Sequence, residues 1–152
     1  DFPGFKLQVR RRVEEFLAEF FAAEPDTEVC RVAKYVSLGG GHRWRAMVAI
    51  AAGQVFHSDF FKICLPGACG AELAHAASLV LDDLPSMDDA QIRRGKPCPH
   101  LVFPRWAVDL TPVFLTTSAY LMTARDPLAS PDRRVAAAIE ISRAGVQMVR
   151  GQ

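Results

Sequence analysis

The sequence has little that builds a sheet. No run alternates β-branched and polar residues between hairpin dipeptides, which argues against a strand-based fold. It also lacks an uninterrupted apolar run of the roughly 18 residues that cross a bilayer, and no signal-peptide pattern opens it. Charge of one sign is missing: 18 basic residues balance 17 acidic ones for a net +1, so nothing global points to nucleic acid. Cysteine is sparse. Cys64 and Cys69 have four residues between them, which is neither a CxxC redox pair nor a zinc spacing. The thiols therefore read as small buried groups in a reducing compartment. There is no internal repeat. The first residue is Asp1, not methionine, and Gln152 falls within a helical pattern, so a piece of a longer product, or a short family member, is expected.

What is present is helical spacing, in a chain of 152 residues that is 50% hydrophobic and sized for one domain. "LQVRRRVEEFLAEFFA" puts Val9, Val13, Phe16, Leu17 and Phe20 on one face. "PDTEVCRVAKYVSL" follows, capped by Asp26 or Thr27 and stopped by Gly39-Gly40-Gly41. "RWRAMVAIAAGQVF" runs to His57, and a fourth helix starts near Pro66 and reaches Asp83. A loop covers roughly 84–104. A fifth helix spans about 106–124, which Pro112 delays or bends, and "RRVAAAIEISRAGVQMVRGQ" is the last. The predicted fold class is all-α, a helical bundle.

One stretch carries chemistry. "DDLPSMDDAQIRRGKP" holds four acids, then three cations, directly after the apolar run "LAHAASLVL". A solvated charged loop is the ordinary reading of such a run. Here Pro85 should break the helix after Asp83, and a loop can then return Asp88 toward Asp82. Two carboxylates about 6 Å apart repel by about 3 kcal/mol at an effective dielectric of 20. A hard divalent cation relieves that repulsion, and oxygen-only ligation favours Mg²⁺ when phosphate completes the sphere. Arg93, Arg94 and Lys96 follow, and guanidinium forks suit phosphate. Together they describe a metal-diphosphate site.

"DDLPSMD" resembles the first aspartate-rich motif of the trans-isoprenyl diphosphate synthases. "AELAHAASLVLDDLPSMD", "RRGKPCPH", "SLGGGHRWRA" and "MVRGQ" are similar to further family motifs, in order, over nearly the whole chain. The resemblance implies an isoprenoid-synthase-type helical bundle, here incomplete, with residues 1–152 as the N-terminal part of the domain. It implies Mg²⁺-dependent head-to-tail condensation of isopentenyl diphosphate with an allylic diphosphate. Asp82 and Asp88 would bind the metal with Asp83 supporting, and Arg93 would hold the allylic diphosphate. His42, Arg45, His75 and Arg94 would hold isopentenyl diphosphate, with Arg43 near them. A homodimer or heterodimer is implied, in the cytoplasm, or in a plastid if a transit peptide has been removed.

The chain departs from the family pattern at several points. His42 stands for the usual lysine, Ala46 for a proline, and Thr111-Pro112 for Gly-Asp. The second aspartate-rich motif would lie past Gln152. A non-catalytic partner subunit and a terpene cyclase on the same fold are the alternatives; Arg43, Arg45 and His75 argue against the cyclase. Some residues carry two readings: His75 as a packed core histidine, Gly39–Gly41 as a mere helix stop, and His100 as loop packing. Trp44 and Trp106 read as packing.

Helix geometry also predicts product length. Leu79, Ser78, His75 and Ala74 lie on the face beneath Asp82. At Ala77 the family often places an aromatic floor, and Ala71 and Gly70 extend the small surface. A geranylgeranyl-type product or longer is expected.

Overall fold

A central helix, α4 (Phe60–Asp82), organises the chain and delivers the acids to its own C-terminal end. In the computed structural model, which describes residues 1–151, it lies against α3 (Trp44–Phe56) on one side and α5 (Arg105–Ala124) on the other. α1 (Phe2–Ala22), α2 (Glu28–Ser37) and α6 (Pro131–Gly151) pack around these. The all-α reading holds.

The α1 stripe buries Val9, Val13, Leu17 and Phe21, a spacing of four that follows one face. Phe16 and Phe20 are only half-buried, so Phe21 takes the place the sequence reading gave them. This stripe joins Met47, Ile50, Leu65, Leu73 and Leu115 in the main core. Each such side chain contributes about 1.5–3 kcal/mol by leaving water. A smaller cluster of Val32, Val80, Leu84, Ala107 and Val108 supports the segment after α4. Thr27 caps α2, its hydroxyl accepting from Cys30 N at 3.2 Å, whereas Asp26 pairs with Arg31 at 2.8 Å.

α4 starts earlier than expected, at Phe60, with Pro66 buried inside it, whereas α5 starts at Arg105, beside the expected 106, and runs on through Pro112. In both, packing on neighbouring helices outweighs the single backbone bond that proline removes. By length and mean hydropathy α4 is also apolar enough to span a bilayer, although Lys62 and Glu72 interrupt its apolar run. Half of that window is buried inside the protein, as befits a core helix.

The segment expected as a loop contains a hairpin, β1 (Ile92–Arg93) and β2 (Lys96–Pro97), then a 3-10 turn at Pro99–Leu101. Arg94 and Gly95 form its two-residue turn, both with positive φ, 54° and 76°. That is the geometry two-residue hairpins require. The "RG" pair was its only signal in the sequence.

Candidate active site

The acids divide by environment. α4 ends at Asp82, and a tight turn closed by Met87 N to Leu84 O (2.8 Å) brings the chain back. Asp88 N then donates to Asp82 O at 2.9 Å, so the loop does return Asp88 to the helix end. Among the described residues, the Asp82 and Asp88 carboxylates have no hydrogen-bonded or ion-paired side chain. Asp83 is the opposite. Its carboxylate is buried and takes Arg93 Nε at 2.7 and 2.8 Å, with Nη2 at 2.6 Å. Cys98 adds to it: burial first, and then its hydrogen bond to Asp83, push that thiol up to about 11.

This pairing changes the reading of Arg93. The side chain expected on the allylic diphosphate is engaged by Asp83, and that bond also raises its own pKa. Asp83 therefore anchors the hairpin to α4.

The basic side is built by close approach. Arg94 reaches across to donate to the carbonyl of Gly40. A Cβ on Gly41 would sit 2.8 Å from Arg94 Cζ, and Gly41 has φ 125°, so only glycine fits there. The Gly39–Gly41 turn is thus a seat for a guanidinium as well as a helix stop. Tyr35 fastens the hairpin from α2, its hydroxyl donating to Pro97 O at 2.8 Å, with Lys96 over its ring.

Arg43 and Arg45 separate. Arg45 and His42 are exposed, while Arg43 is buried and turned inward, donating to Ser37 O at 2.8 Å. Its other partner is Glu72 of α4, at 3.6 Å. Glu72 was missed by sequence reasoning, because one acid in an alanine-rich helix looks like surface. His75, one turn on, is held down to about 4, by burial first and then by Arg45, Arg94, Arg93 and Arg43. Four guanidiniums acting on one imidazole mark a strongly positive field. It is a seat for an anion.

Below the acids lies an open cleft of about 510 Å³ between α4, α5 and α6. Ala74, Ala77, Ser78 and Leu81 form one wall, with Thr116 and Tyr120 opposite. Gly70 does not extend it: a Cβ there would meet Ala119 O and Thr123 Oγ1 at 3.1 Å, so α5 closes that level. The extension of the small surface expected from Ala71 and Gly70 therefore stops short of Gly70. The His100 side chain is 5% exposed, with neither ring nitrogen hydrogen-bonded among the described residues and Asp89 4.0 Å away.

Mg²⁺ fits the donors present only in part. Asp82 and Asp88 offer hard oxygen, but no three His, Cys, Asp or Glu side chains among the described residues converge on a metal. Two carboxylates need further oxygens, which a diphosphate has.

An aspartate-lined helix end, a set of arginines and an apolar cleft thus sit on one all-α helical fold. Solved structures agree on the fold. An FPP/GFPP synthase from Zymomonas mobilis superimposes with TM-score 0.87 at 25% identity, covering 94% of this chain and 52% of that one. A geranyltranstransferase from Thermotoga maritima gives 0.72 at 30% identity, covering 77% and 44%. The polyprenyl synthetase family model matches residues 26–152, and the chain belongs to that family. A probable farnesyl diphosphate synthase of Bradyrhizobium diazoefficiens is 40% identical over 75% of this chain and 35% of its own length. A mitochondrial geranylgeranyl pyrophosphate synthase 10 of Arabidopsis thaliana is 34% identical over 99% and 44%. The chain spans less than half the length of these curated relatives.

Proposed function

We propose that this chain carries the first half of a prenyltransferase site that condenses isopentenyl diphosphate with an allylic diphosphate. The observation behind it is the meeting of Arg94 with the Gly40–Gly41 turn, beside two unpaired acids at the end of α4. Asp82 and Asp88 would hold Mg²⁺, which when bound neutralises the departing diphosphate. Arg93, held by Asp83, adds positive charge at the same end without needing to move. Arg45 and Arg94 would take isopentenyl diphosphate, with the exposed His42 beside them. His75, held down to about 4 by burial first and then by the arginines, would shift upward as a bound diphosphate offsets the arginine part. The cleft past Ala77 and Ala74 would take the growing chain along an apolar wall, and the small residues of that wall favour a geranylgeranyl-type product.

Incubation of the protein at its full encoded length with Mg²⁺, isopentenyl diphosphate and each allylic diphosphate in turn should give longer prenyl diphosphates, resolved by chromatography. No elongation with any primer would refute the prenyltransferase reading. A second reading, a partner subunit for a longer synthase, is favoured by α6, which buries none of its residues and leaves its apolar positions open. Product length of a full-length synthase that changes on mixing would support that reading. For location, we propose cytoplasm or a plastid; the Arabidopsis relatives are named chloroplastic or mitochondrial.

A further inference from the structure

The start of α3 is unusual. Its N-cap residue is Arg43, in the left-handed conformation at φ 55° and ψ 37°, and an arginine has no acceptor with which to cap a helix. The missing acceptor comes from another helix. Glu72 Oε1 of α4 accepts from Ala46 N at 3.1 Å, and Ala46 is the third residue of α3, where a capping oxygen normally acts. The same carboxylate lies 3.6 Å from Arg43 Nη1, and the two side chains are 4% and 3% exposed.

We infer that Glu72 is a positioning residue for the anion seat. Its buried carboxylate caps α3 from outside and folds Arg43 inward, which fixes the 39–45 turn and leaves Arg45 and Arg94 to receive the diphosphate. Three features agree. The bond to Ala46 N is the shorter of the two, so the carboxylate serves the turn before it serves the ion pair. Arg43 Nε is left without a partner, as expected of a side chain placed for the turn and not for its own bonding. Glu72 also acts against the mutual repulsion of the cations: burial first, and then Arg43, Arg93 and Arg45, lower the pKa of Arg94, and Glu72 raises it. A negative charge at a helix start and beneath a cationic cluster is favourable on both counts. It also means that the amide of Ala46 is already taken, so the start of α3 offers the ligand its side chains more than its backbone.

The inference rests on the isopentenyl diphosphate reading above, and its test separates the two. Calorimetry on this chain would use isopentenyl diphosphate without metal for the arginine side, and inorganic pyrophosphate with Mg²⁺ for the acid side. Glu72→Ala should weaken the first about tenfold and leave the second within twofold. Equal weakening of both, or no weakening of the first, would overturn the inference. Should Glu72→Ala fail to fold, Arg43→Met with Glu72→Met leaves no unpaired charge in the interior and should show the same selective loss. A wild-type chain that binds no isopentenyl diphosphate would refute the functional reading alone. Positioning is then decided by amide exchange. Glu72→Ala, or the paired variant, should speed exchange at Ala46 at least tenfold relative to Leu17 in α1. Unchanged exchange at Ala46 would show that Glu72 does not hold the turn.

Discussion

Arg94 and Gly41 touch so closely that a single methyl group between them would lie 2.8 Å from the guanidinium carbon. Both residues sit at positive φ, 54° and 125°, so one left-handed arginine and one conformation open only to glycine are kept to bring one cation over one turn. Gly41→Ala adds the methyl and forces a side chain into a region that L residues avoid. A stability loss of about 1–3 kcal/mol is expected, read from the urea midpoint, together with weaker binding of isopentenyl diphosphate. An unchanged affinity would show that Arg94 does not need this seat.

The three motif aspartates should respond differently to amidation. Asp83→Asn removes the partner of Arg93 from a buried site, and a loss of about 1–3 kcal/mol is expected, since Arg93 is partly solvated. Asp82→Asn and Asp88→Asn remove unpaired acids that repel each other, so stability should hold or rise. Those two should instead lose Mg²⁺-dependent pyrophosphate binding. Denaturation midpoints and calorimetry on the three variants test this. Equal destabilisation by all three would contradict the division of roles.

His75 sets an acid-side pH dependence. Its folded pKa of about 4 lies below the ordinary value of 6.5, so between them the unfolded chain binds more protons than the folded one. Stability should therefore fall as pH drops from about 6.5 toward 4, and His75→Gln should flatten that limb. A bound diphosphate offsets the local positive field, and the His75 titration followed by NMR should move upward. A His75 titration that stays put on adding the ligand would place the anion elsewhere.

The exposed face of α5 predicts association. Trp106, Leu110, Val113 and Leu121 recur at helical spacing and are each about half exposed or more. Light scattering at micromolar concentration should give a dimer, and Val113→Glu should shift it to monomer. A monomeric wild-type mass would refute the dimer.

The sequence made helices and the acid end legible for different reasons. Helical spacing reports burial directly, so α1, α2 and α3 fall where the pattern puts them. Pro66 misled because a favourable position for proline is only a local preference, and core packing overrode it. The Asp82–Asp88 return was readable because Pro85 forces a break. The hairpin and the Asp83–Arg93 pair were not, since each depends on contacts that a one-dimensional pattern does not contain. Glu72 was hidden for the same reason: its partners, Ala46 and Arg43, lie more than twenty positions away.

Product length gives the most graded test. Ala77 and Ala74 both line the cleft below Asp82, and the step of three positions between them is about 4.5 Å along α4. That is roughly the extended length of one five-carbon unit. A phenylalanine at either position would project into the cleft, at an overpacking cost of about 1–3 kcal/mol. Ala77→Phe fills the upper level and should stop elongation earliest. Ala74→Phe fills the level beneath and should allow about one unit more. Tyr120, on the facing helix, narrows the same space, so Tyr120→Ala should lengthen the product. Gly70 lies against α5 outside the cleft, and Gly70→Ala should disturb packing without changing product length. The ordering can be read by chromatography of dephosphorylated products from one set of variants. If Ala77→Phe and Ala74→Phe give the same product, or Ala74→Phe gives the shorter one, the chain does not descend along α4.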